Sequence, residues 1–90
     1  MTTTNANAKN IIATIAKNTT SRIKVEDLCN TIYYKLQQEG IKSAICNCKG
    51  IDLPGEKTGW FNTGTIWFQR DNKNDQWKAF QVIDGKNVRL

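Results

Sequence analysis

Three features of the chain predict an α+β domain. A helical apolar stripe runs through Val25–Glu39, and a shorter one at Ala8, Ile11, Ile12 and Ile15 precedes it. The third feature is Gly59–Leu90, an aromatic stretch cut by turns that holds all three tryptophans and all three phenylalanines. Two N-terminal helices should therefore pack on one face of a mostly antiparallel sheet of three to four strands, in the order α-α-β-β-β-β.

Residues 1–7 are polar and are expected to fray, leaving 8–90 as a single domain. The first helix should begin after Asn7 as cap and stop at Asn18-Thr19-Thr20. In the second, Val25, Leu28, Cys29, Ile32 and Leu36 share one face. Glu26 and Asp27 suit the positive end of the helix dipole, and Gly40 provides the exit. Tyr33 and Tyr34 cannot both point inward, and Tyr34 is expected outside. Ile41–Lys49 reads as a strand, with Ala44, Cys46 and Cys48 on a face small enough for a helix to approach. Gly50–Gly59 reads as a loop containing a Pro54-Gly55 turn.

The last strands can be registered. If Asp71–Asp75 is the connecting loop, Phe68 pairs with Lys78, Trp67 with Ala79, Ile66 with Phe80 and Thr65 with Gln81. A three-residue turn Asp84–Lys86 then sets Val82 opposite Val88, Phe80 opposite Leu90 and Gln81 opposite Arg89. Both turns put Ile66, Phe68, Phe80 and Val82 on the core face, with Thr65, Trp67, Gln69, Trp77, Ala79 and Gln81 on the other. A two-residue Asp84-Gly85 turn is the alternative; it would bury Gln81 and expose Val88.

Composition narrows the function. The chain has 90 residues, 39% hydrophobic and 23% charged, which is globular rather than disordered. The absence of a long apolar run and of a basic-then-apolar leader predicts a soluble, cytoplasmic protein with no membrane partner. Thirteen Lys and Arg against eight Asp and Glu give a net charge of +5, which favours anionic partners. Three cysteines and no histidine provide neither a disulfide framework nor a zinc pattern. Small thiols in a reducing compartment are the simpler reading, and no cofactor or metal is expected.

Without histidine, Ser-His and Cys-His nucleophile systems are excluded, and the carboxylates fall in loops, so no enzyme is expected. Gly50-x4-Gly55-Glu56-Lys57 fails as a phosphate loop, because Glu56 separates the glycine from the lysine and no helix follows. Asp71–Asp75 fails as a calcium loop, because Lys73 stands where an oxygen ligand is needed.

What remains is a binding surface. Trp67 and Trp77, flanked by Gln69, Gln81 and Arg89, are expected to form a stacking face for single-stranded nucleic acid. Lys57, Arg70 and Lys78 would supply phosphate contacts, with Trp60 close by. The alternative is a protein-interaction module, either a homodimer or a small inhibitor or regulator of a larger protein, using the same face. A third reading follows from the cadence of Ile11–Gly40, which suits a winged-helix duplex DNA binder. That fold needs a third helix, and the sequence shows two.

Overall fold

The computed structural model describes residues 3–20, 22–56, 64–72, 75–83 and 85–90. Two helices, α1 (Thr3–Asn18) and α2 (Val25–Gln38), precede five strands: β1 (Ala44–Cys46), β2 (Gly50–Asp52), β3 (Ile66–Gln69), β4 (Lys78–Ile83) and β5 (Lys86–Arg89). The strands form one sheet in chain order, every neighbouring pair antiparallel. Both helices lie on one face of it, so the α+β class holds with five strands rather than three to four.

The helix α2 follows from its sequence. Leu28, Cys29, Ile32 and Leu36 recur at helical spacing and are fully buried, each large aliphatic side chain contributing about 1.5–3 kcal/mol by leaving water. Tyr34 is 63% exposed, as the stripe requires. Lys24 precedes the helix in extended conformation and makes no side-chain cap. At the other end the amide of Gly40 bonds Gln37 O and that of Ile41 bonds Leu36 O, at 3.0 and 2.9 Å. That closure needs a left-handed residue between helix and exit, and Gly40 supplies it with φ +74°.

Helix α1 starts at Thr3, earlier than the expected Ala8. The cause is a tertiary contact: Asn5 Nδ2 donates to Pro54 O at 2.8 Å and to Glu56 Oε2 at 3.0 Å. Ala8, Ile12 and Ala16 share the buried face of α1, and Ile11 and Ile15 flank it half-buried.

The stretch Ile41–Lys49 is not one strand. Asn47 and Cys48 adopt positive φ, 51° and 57°, and turn the chain so that β1 folds back on β2. Asn tolerates that conformation better than most residues. Gly50–Asp52, expected as loop, is therefore the second strand, and its Ile51 is fully buried. Ile45 pairs with Ile51 on the helix side, while Ala44 and Cys46 face away from the helices.

The register of the last three strands differs by one residue from the expected one. Ile66 pairs with Gln81, Trp67 with Phe80, Phe68 with Ala79 and Gln69 with Lys78. Phe80 pairs with Arg89, Gln81 with Val88, Val82 with Asn87 and Ile83 with Lys86, which leaves a two-residue connection. The helix side of β4 thus carries Ala79 and Gln81, with Trp77 just before the strand buried on the same side, and its other side carries Lys78, Phe80 and Val82. The penalty foreseen for this arrangement is present: Gln81 is 1% exposed and Val88 is 41% exposed.

Two interactions offset that penalty. Trp77 is buried in the core and donates its indole N–H to Ile23 O at 3.0 Å, with the Arg70 guanidinium 4.5 Å above its ring. Gln81 Nε2 donates to Glu56 Oε1 at 2.8 Å and to Gly64 O at 3.0 Å. A buried amide with partners costs far less than one without.

Candidate functional site

The face of the sheet turned away from α1 and α2 carries a row that crosses all five strands. Cys46 pairs with Gly50, Gly50 with Trp67, Trp67 with Phe80 and Phe80 with Arg89. Directly opposed residues in antiparallel strands have Cβ atoms about 4.5–5.5 Å apart, so the indole and the phenyl ring are neighbours and the guanidinium continues the line. Trp67 and Phe80 are half-buried and Arg89 is exposed.

Gly50 explains how the indole lies. A Cβ at position 50 would stand 2.8 Å from Trp67 Cε3, 2.8 Å from Thr65 Cγ2 and 2.9 Å from Ile66 O. The six-membered part of the indole therefore rests on the backbone of β2, a place that any side chain would fill. Beside it Thr65 Oγ1 donates to Asp52 Oδ1 at 2.6 Å, which neutralises an acceptor near the aromatic row.

Polar groups surround the rings. Gln69 is exposed at the end of β3. Its partner Lys78 reaches Asp71 Oδ2 at 2.9 Å, with the Asp71 side chain 75% exposed. An ion pair this open to water is worth at most about 1 kcal/mol, so Lys78 can exchange Asp71 for another anion at little cost.

The expected site residues thus divide. Trp67, Gln69, Lys78 and Arg89 belong to the open face. Trp77 and Gln81 are corrections: both lie on the helix side, because the register places them there and each finds a hydrogen-bond partner inside. Arg70 goes with them, stacked on Trp77. Lys57 and Trp60 lie outside the described residues. Phe80 was missed, and with it the seat at Gly50; the apolar run Ala79–Ile83 contained the signal but not its parity.

A second polar cluster stands on the helix side. The carboxylate of Glu56 meets Lys9 Nζ at 2.5 Å, Gln81 Nε2 and Asn5 Nδ2. Burial pushes the Glu56 carboxyl up, but the hydrogen bonds from Lys9, Gln81 and Asn5 and the charge of Lys9 outweigh it and hold the carboxyl below the ordinary glutamate value. The Glu56 carboxylate is engaged on both oxygens, which makes the cluster a structural tie rather than a reactive centre.

Burial, helped by the neighbouring Cys48, pushes the Cys29 thiol up to about 12, so it stays protonated at neutral pH. Among the described residues no three His, Cys, Asp or Glu side chains are grouped to hold a metal ion. A cleft of about 120 Å³ between α1 and Trp77, Ala79 and Leu90 is smaller than the roughly 300–1,000 Å³ of ordinary ligand pockets. No helix among the described residues is long and apolar enough to cross a membrane.

No protein-family model matches the chain, and comparison with curated proteins and with solved structures finds no match either.

Proposed function

We propose that this protein is a small binding protein for single-stranded nucleic acid, held on the open face of the sheet. Bases stack on Trp67 and Phe80, Arg89 continues the stack or meets a phosphate, and Lys78 and Gln69 contact the backbone and base edges. The observation that carries this reading is the row Gly50–Trp67–Phe80–Arg89. Flat, half-buried rings on central strands, ending in an exposed guanidinium, match what unpaired bases require, and each base–aromatic stack is worth about 1–3 kcal/mol. The net charge of +5 adds long-range attraction to a polyanion.

The reading keeps the function expected from the sequence but changes its second ring from Trp77 to Phe80. The winged-helix alternative gains nothing, since α1 and α2 are the two helices among the described residues and both are used to cover the sheet.

Titration with a mixed-sequence single-stranded oligonucleotide at low salt, followed by Trp fluorescence and mobility shift, tests it. Binding should quench a signal that disappears in Trp67→Phe, and should weaken steeply between about 50 and 200 mM salt. No binding at low salt, where phosphate contacts are strongest, overturns the proposal. Binding that survives Trp67→Ala together with Phe80→Ala would place the site elsewhere.

A further inference from the structure

The two edges of the sheet are built differently. At one edge β5 presents Lys86 and Arg89, charged side chains of the kind that deter another strand from pairing there. At the other, β1 is Ala44-Ile45-Cys46, with neither a charge nor a proline. Among the described residues only β2 pairs with β1, so the backbone groups on its outer side meet no strand.

Hollows flank the chain leading into this edge, one on each face of the sheet. On the helix side a hollow of about 420 Å³ lies between the end of α2 and the exit segment, at Gln37, Gly40 and Ile41. On the open-face side a second, of about 320 Å³, lies between Ala44, Asp52, Leu53 and Pro54. Lys42 and Ser43 border both. Among the described residues Ser43 Oγ is buried without a hydrogen-bond partner, and Lys42 makes no salt bridge.

We infer that the β1 edge is a docking site for an extended polypeptide segment from a partner protein, one that adds a strand beside β1 and carries an acidic side chain opposite Lys42. Three observations select this occupant. Successive side chains of a strand point to opposite faces, so an added strand would place alternate residues in the two hollows while its backbone pairs with the edge. Lys42, unpaired among the described residues, calls for a carboxylate in the helix-side hollow, since Asp52 already lines the other. A second copy of this chain fits poorly, because β1 would offer Ala44 and Cys46 to a hollow they cannot fill.

This site is separate from the aromatic row and is tested separately. Random linear peptides displayed on phage are selected against the full chain, and enriched peptides are titrated into isotope-labelled protein. The expected pool is acidic with alternating large apolar residues, and it shifts and protects the amides of residues 42–46. Charge reversal at the exposed Lys42, Lys42→Glu, should weaken those peptides at least about tenfold and turn a fresh selection toward basic ones. Ser43→Pro, checked for its fold by circular dichroism, should weaken them whatever their charge.

Absence of enrichment overturns the inference, as does protection of amides away from β1. Concentration-dependent protection of β1 without any peptide would show a second copy on this edge and overturn the choice of occupant.

Discussion

Trp67, on β3, and Trp77, just before β4, carry the same side chain and have opposite fates. Trp77 sits under the helices, 7% exposed, its N–H bonded to Ile23 O and its ring covered by Arg70. Trp67 lies half-buried on the far side of the sheet, resting on Gly50 beside Phe80. One ring is held on all sides by the protein, and the other keeps a face for something else. The difference comes from parity in the strand pairing, since a shift of one residue exchanges the two faces of β4.

The largest effect expected from this contrast is on folding. Trp77→Ala should destabilise the protein by about 3–5 kcal/mol, measured by denaturant unfolding, because it empties a core site and strands the Ile23 carbonyl. Trp67→Ala should cost clearly less in the same experiment while removing oligonucleotide binding. Equal losses of stability would mean that both rings are core residues and that the open face is not a binding surface.

Next comes the seat of the half-buried ring. Gly50→Ala should destabilise by about 1–3 kcal/mol, since its Cβ meets Ile66 O as well as two side chains. It should also lift the indole, so that Trp67 emission moves to longer wavelength. A neutral substitution would show that the indole does not lie on β2.

Smaller effects separate the faces further. The folded state lowers the Glu56 pKa from its ordinary value, so the stability it contributes is present above its unfolded value and is lost as pH falls through the folded one. Stability measured from neutral pH downward should therefore fall less steeply in Glu56→Gln. Iodoacetamide should modify the exposed Cys48 readily in the native protein and leave the buried, protonated Cys29 unmodified until unfolding. Reaction at Cys29 at the rate of Cys48 would mean that α2 opens from the sheet.

These contrasts also mark what could be read from the residues. Helix α2 was legible because its stripe, its acidic first turn and Gly40 agree with one another. So were the existence of β3, β4 and β5, and the placement of Trp67, Gln69 and Arg89 on the open face. The register was not legible, because Trp77-Lys78-Ala79-Phe80-Gln81-Val82 carries apolar side chains at both parities. A glutamine looks like the outward residue until its partners are known. Those partners, Glu56 and Gly64, are distant in the chain, so no local pattern announces them. The β1–β2 hairpin was hidden by length: strands of three residues leave little periodicity, and Asn47 was the sole sign that the run breaks.

The Glu56 carboxylate has a further consequence, for the rate at which the molecule comes apart. It ties Asn5 and Gln81 to the end of the Pro54-Gly55 turn across separations of 51 and 25 residues. Contacts this distant in the chain form after local helices and hairpins. The tie should then be absent from the folding transition state, and cutting it with Glu56→Ala should speed unfolding while leaving the folding rate nearly unchanged. In that role Glu56 is a clasp, fastened last, that sets how long the folded molecule survives.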